Sequence, residues 1–218
     1  MASGVVLLDY WPSPFGTRTR IALAEKGIDY ERKNEDMDNK SPLLKKMNPI
    51  HARIPVLIHN GKPICESNII IQYIDEVWKD KPPLLPSDPY LIAKARFWTN
   101  FIDTKVHGSS RKIWLSKGEE LETGKKELVE WAKLLEGELG EKPYFGGETF
   151  GFVDIALVPF YNWFMIFKSF ANLSFEAECP KLVAWGKRCM ERGSVSESLP
   201  DRQHIYDAHL EYTKRLGI

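Results

Sequence analysis

A cluster of prolines divides this chain more sharply than any other feature of its sequence. The cluster consists of Pro82, Pro83, Pro86 and Pro89. Proline has no backbone N–H and breaks the interior of a helix, so this stretch cannot continue the element before it. Strand and helix patterns alternate before the cluster, and every strong pattern after it is helical. The sequence therefore predicts an α/β domain over residues 1–80, a linker over 81–89 and an all-helical domain over 90–218.

The first domain carries patterns for four strands and three helices. Asn60-Gly61 stands between two apolar runs and is the strongest short signal for a β-hairpin. Ser-Pro pairs at 13–14 and 41–42 combine a capping residue with a first-turn proline, which indicates helix starts. The predicted order is a strand over 5–10, a helix over 13–27, an edge strand over 29–33, a helix over 41–47, strands over 54–59 and 62–65, and a helix capped by Ser67.

Apolar residues at helical spacing mark the faces of two of these helices. In the first helix, Ile21, Leu23 and Ala24 are expected on the packed face, with Arg18 and Arg20 facing water. The helix that follows Ser67 carries a similar apolar stripe. Its members are Ile69, Ile70, Tyr73, Ile74 and Val77.

The second domain is predicted to contain five helices, over 90–115, 119–139, 153–171, 180–191 and 203–216. The most apolar segment, 152–170, is interrupted by Asp154, Pro159, Asn162 and Lys168, so it predicts a buried core helix and not a membrane span.

Charge and cysteine content exclude several classes of function. Thirty Lys plus Arg balance thirty Asp plus Glu, so no overall field attracts nucleic acid or an anionic membrane. The three cysteines, Cys65, Cys179 and Cys189, cannot all pair and have no metal-binding spacing, so no metal site is expected and a reducing compartment fits best. The N-terminal residues lack the features of a signal peptide. These features together predict a cytosolic protein and leave small neutral or amphipathic ligands open.

Ser13 lies between the first strand and the first helix, where backbone N–H groups and the helix dipole favour an anion. An ordinary helix cap explains the same residue. A second signal comes from Ile54-Pro55, because a proline that opens a central strand is awkward unless its peptide bond is cis and functional. In a thioredoxin-like domain, such a proline receives the extended backbone of a peptide ligand. Ser13 would then occupy the place of a reactive cysteine.

Several motifs together resemble plant tau-class glutathione transferases, and the resemblance covers essentially the whole chain. The motifs are 13–16 (SPFG), 20–27 (RIALAEKG), 39–44 (NKSPLL), 54–57 (IPVL), 66–67 (ES), 72–76 (QYIDE) and 150–157 (FGFVDIAL). The resemblance implies a thioredoxin-like glutathione-binding domain followed by an all-α domain that contributes an electrophile pocket. It also implies a homodimer, no permanently bound cofactor, and conjugation of glutathione to hydrophobic electrophiles in detoxification or stress response. Glutathione-dependent peroxidase activity is compatible with it.

The resemblance also implies roles for individual residues. Ser13 would hydrogen-bond the glutathione sulfur and act as the catalytic residue. The rest of the tripeptide would be held by Lys40, Arg53, Ile54, Glu66 and Ser67. The electrophile pocket would be lined by Phe15, His107, Arg111, Trp114, Trp163, Ala208, Tyr212 and Arg215. Arg53 departs from the lysine usual in the class, which keeps the charge and changes its geometry. Residues 151–154 resemble the motif that starts the central helix in this family, with Gly151 in the cap position usually held by serine or threonine. The resemblance implies that Asp154 reaches back to the free amides there, which is a structural and not a catalytic role.

One other function stays open at this point, and a further one requires a residue that position 13 does not have. A noncatalytic carrier could use the same cleft to store amphipathic ligands, and core packing alone could explain Trp114 and Trp163. A thiol oxidoreductase on this fold would form a mixed disulfide and so would need cysteine at position 13. Ser13 cannot form one.

Overall fold

The computed structural model describes residues 4–217, and the chain divides into two compact units with the boundary between Leu85 and Pro86. The first unit has a four-stranded mixed sheet in the order β2-β1-β3-β4. Its elements are β1 (Val5–Asp9), α1 (Pro14–Glu25), β2 (Glu31–Asn34), α2 (Pro42–Met47), β3 (Val56–His59), β4 (Lys62–Cys65) and α3 (Ser67–Val77). The predicted element order of this region is confirmed.

Pairing within the sheet follows from the connections between strands. β1 and β2 are parallel because α1 carries the chain back between them, whereas β3 is antiparallel to both β1 and β4. Asn60-Gly61 joins β3 to β4 as a two-residue hairpin, with both residues at positive φ. One core cluster of this unit contains Leu8, Leu44, Val56 and Ile58.

Two predictions about helix faces in this unit are wrong. Arg18 and Arg20 are buried in α1, and Ala24 is exposed. Helix α1 is therefore buried on nearly all sides. Inside the unit, the Arg18 guanidinium hydrogen-bonds Ser67 and the Arg20 guanidinium pairs with Asp9. Buried charge is tolerated where it is paired and hydrogen-bonded.

The start of α3 also differs from the prediction. The N-cap residue is Glu66, whose side chain makes no capping hydrogen bond, and Ser67 is the first helical residue. Ile69 is 54% exposed and Val77 is also exposed, so the apolar stripe is only partly buried. The buried apolar residues of α3 are Ile70, Ile71 and Ile74.

The regular elements of the second unit, as described to residue 217, are all helices, apart from an isolated β-bridge between Tyr144 and Gly147. Its elements are α4 (Pro89–Phe101), a π-helical turn (Ile102–Val106), α5 (His107–Leu115), α6 (Gly118–Leu139), α7 (Phe152–Ala171), α8 (Phe175–Glu178), α9 (Pro180–Met190), α10 (Gly193–Ser196) and α11 (Arg202–Leu216). The single helix predicted over 90–115 is therefore interrupted by the π-helical turn. The short helices α8 and α10 were not predicted, because four residues are too few to show a helical period.

Helix α7 is the central helix of the second unit, and most of its side chains are buried. Asp154 accepts hydrogen bonds from Gly151 N at 3.0 Å, from Phe145 N at 3.0 Å and from Trp185 Nε1 at 2.8 Å. The predicted structural role of Asp154 is confirmed, and it extends beyond the cap to the preceding loop and to α9. Within residues 4–217, no helix has the length and apolar character needed to cross a membrane.

Asp154 also predicts a pH dependence of stability. Burial raises the pKa of its carboxyl from 3.8 to about 6, so the folded state binds the proton more tightly than the unfolded state does. This contribution to stability is greatest at low pH and is lost as pH rises through about 6. Between about pH 5 and pH 7.5, we expect the free energy of unfolding of wild type to fall by about 1.4 kcal/mol relative to Asp154→Asn. Urea unfolding at both pH values measures this, and a difference that stays constant with pH would contradict it.

Candidate active site

Ser13 sits at the junction between β1 and α1, where it is the N-cap residue and is 8% exposed. Its Oγ accepts a hydrogen bond from Gly16 N at 3.3 Å, which is long for this type of bond. Pro14 occupies the first turn and has no N–H of its own. Because Oγ acts as acceptor in the cap, the hydroxyl proton can be donated to another group. A hydroxyl donor at a helix N-terminus is suited to an anion.

The segment before β3 contains the predicted residues Arg53 and Ile54. The Ile54-Pro55 peptide bond is cis. Asn48 Nδ2 donates to Arg53 O at 3.0 Å, which anchors the backbone of this segment. Ile54 packs partly buried against the core cluster, and the Arg53 side chain is exposed.

Glu66 and Ser67 follow β4, and the pairing of Val56 with Cys65 places them beside the start of β3. Glu66 has a φ of +69°, a conformation that is strained for any residue except glycine, and its side chain is exposed. His51 Nε2 lies 3.9 Å from Glu66 Oε1. The structure thus brings Glu66 close to the segment that carries Arg53 and Ile54.

The buried Ser67 hydroxyl links α3 to α1. Arg18 Nη1 donates to Ser67 Oγ at 3.1 Å, and the Arg18 guanidinium lies 5.0 Å from the centre of the Phe15 ring. Phe15 and Ser67 are therefore joined through Arg18, a residue that the sequence analysis placed in solvent. Lys40 precedes the Ser41 cap of α2, and within residues 4–217 no hydrogen bond or ion pair joins it to the other predicted glutathione-binding residues.

In the second unit, the predicted pocket residues on α5 and α7 form one aromatic cluster. The Trp114 ring lies 5.5 Å from Trp163, and His107 lies 6.3 Å from Trp163. On α11, the Arg215 guanidinium lies 5.4 Å from the Tyr212 ring, while Ala208 is half-buried. Arg111 is exposed on α5.

His209 belongs to this cluster and was missed by the sequence analysis. Its ring lies 4.2 Å from Trp114 and 4.8 Å from Phe170, which joins α11 to α5 and α7. Burial lowers the pKa of His209 to about 4, so the ring is neutral at physiological pH. In the sequence, its membership of the cluster is indicated only by its position next to the predicted pocket residue Ala208. A single histidine on an amphipathic helix does not reveal which residues of other helices surround it.

Comparison with known proteins identifies the family. Residues 3–76 match the glutathione S-transferase N-terminal domain, and residues 92–193 match the glutathione S-transferase C-terminal domain. Among curated relatives, glutathione S-transferase U25 of Arabidopsis thaliana is 62% identical over 100% of this chain and 99% of its own length. A probable glutathione S-transferase, parC, of Nicotiana tabacum is 63% identical over 97% of this chain and 95% of its own length.

Solved structures give the same result. Rice GST1 in complex with glutathione has a TM-score of 0.95 and 41% identity, covering 100% of both chains. A tau-class glutathione S-transferase from mango has a TM-score of 0.90 and 40% identity, covering 99% of this chain and 100% of its own. The expected architecture, a thioredoxin-like domain followed by an all-helical domain, is confirmed. The chain belongs to the plant tau class of the glutathione S-transferase family.

Proposed function

We propose that this chain is a serine-type glutathione transferase in which the Ser13 hydroxyl donates a hydrogen bond to the glutathione thiolate. The observation that carries this proposal is the buried position of Ser13 at the N-terminus of α1, where Oγ accepts a long cap bond from Gly16 N and its proton can be donated to a ligand. Support also comes from the rice relative, whose structure is a complex with glutathione. The reaction transfers the thiolate to a hydrophobic electrophile, and reduction of hydroperoxides by the same thiolate is a secondary activity.

The Ser13 hydroxyl and the N-terminus of α1 could lower the pKa of the glutathione thiol far enough that no general base on the protein is needed. A free thiol has a pKa of about 8.5, and each unit of lowering corresponds to about 1.4 kcal/mol. A hydrogen bond to a charged group contributes about 1.5 to 3 kcal/mol, and a helix N-terminus contributes up to about 2. Together these would lower the thiol pKa by roughly two units. Glutathione would then be substantially ionised near neutral pH.

The remaining groups of glutathione have candidate partners in the first unit. Glu66 would bind the γ-glutamyl ammonium, and Ser67 would bind the γ-glutamyl carboxylate with the free amides of α3. Lys40 and Arg53 would bind the glycine carboxylate through charge-assisted hydrogen bonds. The Ile54 backbone would pair with the cysteinyl residue as a neighbouring strand does.

The second unit would offer the electrophile an aromatic surface. Its members are His107, Trp114, Trp163 and His209 in the cluster, with Arg111, Ala208, Tyr212 and Arg215 on the same helices. Aromatic and apolar linings are typical of sites for hydrophobic ligands. Neutral His209 adds no charge to this surface at physiological pH.

Saturation kinetics separates catalysis from ligand storage. With a generic aryl halide and glutathione, a transferase gives a rate that saturates in both substrates and exceeds the uncatalysed rate. A carrier binds both compounds, as isothermal titration would show, without raising the rate. The transferase names of close relatives disfavour the carrier.

We further propose that the protein is a cytosolic homodimer. Cys65, Cys179 and Cys189 are free, as expected in a reducing compartment. Large apolar side chains are exposed in each unit, and Tyr90 and Phe97 lie on one face of α4 because they are separated by two helical turns. An exposed apolar face is typical of a protein–protein interface. The exposed side chains are Ile50 at 82% and Ile69 at 54% in the first unit, and Tyr90 at 71% and Phe97 at 60% on α4 in the second.

Replacement of Phe97 by aspartate tests the dimer. A charge at the centre of an apolar interface costs several kcal/mol, so Phe97→Asp should shift the protein toward a monomer of about 25 kDa in sedimentation experiments. Leu210→Asp is the matched control, because Leu210 is also exposed but lies on α11. Equal masses for wild type and Phe97→Asp would remove this face of α4 from the interface.

A further inference from the structure

A buried hydrogen-bond network formed by Asp9, Thr17 and Arg20 lies beneath the segment that ends at Ser13. Arg20 Nη2 donates to Thr17 Oγ1 at 2.7 Å and to Trp11 O at 3.2 Å. Arg20 Nη1 donates to the Asp9 carboxylate. Thr17 Oγ1 donates to Ser13 O at 3.0 Å. The network therefore runs from the end of β1 through α1 to the main chain of Ser13.

The direction of the Thr17 hydroxyl follows from chemistry. A guanidinium group has donors and no acceptor, so Thr17 Oγ1 must accept from Arg20. Its own proton is then free to be donated to Ser13 O. Thr17 N also donates to Ser13 O, at 3.0 Å, so both polar groups of Thr17 hold this carbonyl. A chain of such bonds polarises and strengthens its members.

The same network holds the preceding backbone. Asp9 Oδ1 accepts from Tyr10 N at 2.8 Å, and Asp9 Oδ2 accepts from Arg32 Nε at 2.9 Å. Helix α1 approaches Asp9 so closely that a Cβ on Gly16 would overlap the carboxylate. Tyr10 O accepts from Ser13 N at 2.9 Å. The backbone from residue 10 to residue 13 is thus anchored at several successive points.

Side-chain contacts hold the Ser13 hydroxyl much less firmly than the network holds its backbone. The cap bond from Gly16 N to Oγ is 3.3 Å long, compared with 3.0 Å for each bond to Ser13 O. The location of the hydroxyl is consequently set by the main chain of Ser13. Catalytic groups need placement within about 0.5 Å, and small displacements have large kinetic effects.

We propose that Thr17, oriented by Arg20, is a positioning residue that holds Ser13 where its hydroxyl can donate to the glutathione thiolate. This inference rests on the proposed role of Ser13. It predicts that loss of the Thr17 hydroxyl weakens thiolate stabilisation while the aryl-halide site is unaffected.

The test compares two isosteric substitutions in α1. Thr17→Val removes the hydroxyl that holds Ser13 O. Thr19→Val is the matched control, because Thr19 is equally buried and its Oγ1 has no hydrogen-bond partner within residues 4–217. We expect Thr17→Val to lower kcat, at saturating glutathione and aryl halide, on the order of tenfold near pH 6.5 and to raise the apparent pKa of the kcat profile by about one unit. Thr17→Ser should restore both, and Thr19→Val should leave both unchanged.

Further variants distinguish the possible explanations. If Thr17 acts through Ser13, Thr17→Val should have no additional effect in a Ser13→Ala background, as a double-mutant cycle would show. Urea unfolding shows whether Thr17→Val is folded. If it is not, Thr17→Ala takes its place. An unchanged pH profile in the folded Thr17 variants would overturn this inference. If Ser13→Ala also leaves the profile unchanged, the proposed function itself fails.

Discussion

Ser13→Ala should lower kcat, at saturating glutathione and electrophile, by about 10- to 10²-fold near pH 6, with a much smaller loss near pH 9. The reason is that the variant loses the hydroxyl donor, so the pKa of bound glutathione returns toward its free value of about 8.5. Below both pKa values, each unit reduces the thiolate fraction about tenfold. Rates measured across pH for wild type and variant check this, together with the ultraviolet absorbance of the bound thiolate.

Ser41→Ala is a closely matched control, because Ser41 also precedes a proline and caps a helix. Its Oγ accepts from Leu44 N at 3.0 Å and donates to Glu35 Oε1 at 2.7 Å, whereas the cap bond of Ser13 is longer. We therefore expect Ser41→Ala to cost about 1 kcal/mol of stability and to leave the pH profile unchanged. Ser13→Ala should show the reverse pattern, with little loss of stability. A Ser13→Ala enzyme with wild-type rates at every pH would reduce Ser13 to an ordinary cap.

Asp154→Ala should lower the free energy of unfolding by about 2 to 4 kcal/mol, which is a large fraction of the stability of a typical domain. The substitution leaves three donors without their acceptor, namely the buried Phe145 N and Trp185 Nε1 and the partly buried Gly151 N. The loss is moderated because removal of the carboxylate also removes a desolvated charge. Urea unfolding at fixed protein concentration measures the change.

Asp88→Ala gives the comparison for an exposed aspartate cap. The Asp88 carboxylate accepts a hydrogen bond from Leu91 N at 2.9 Å and is exposed to solvent at the start of α4. Asp88→Ala should lower the free energy of unfolding by about 1 kcal/mol or less. If the two substitutions destabilise the protein equally, Asp154 acts only as a cap, and its bonds to Phe145 and Trp185 contribute nothing measurable.

Most of the fold could be predicted from local signals. The Ser-Pro caps, the Asn60-Gly61 turn and the proline cluster are all local features, so the element order of the first unit followed from them. The burial of Arg18 and Arg20 could not be predicted in the same way. Their partners, Ser67 and Asp9, are distant in sequence, and a buried guanidinium in a helix has the same local pattern as a solvated one.

The candidate site was predictable only where a residue type carries its own chemistry. Ser13 could be proposed because a hydroxyl at a helix start is suited to an anion. Thr17 could not, because its role depends on which carbonyl it reaches and on the orientation imposed by Arg20. His209 was missed for a similar reason, since its aromatic neighbours come from two other helices. The roles assigned to Lys40, Arg53 and Ile54 stay predictions.

The π-helical turn at Ile102–Val106 has a consequence for how this region can tolerate insertion and deletion. Such a turn accommodates one extra residue, and each residue of an α-helix advances by about 100° around its axis. The turn absorbs this residue locally, so the aromatic face of α5 points where it would in a regular helix that is one residue shorter. Deleting one residue in this turn should therefore restore a regular helix and leave His107 and Trp114 near Trp163. A deletion in α5 between His107 and Trp114 should instead rotate Trp114 by about 100° relative to His107 and separate the two from a common face.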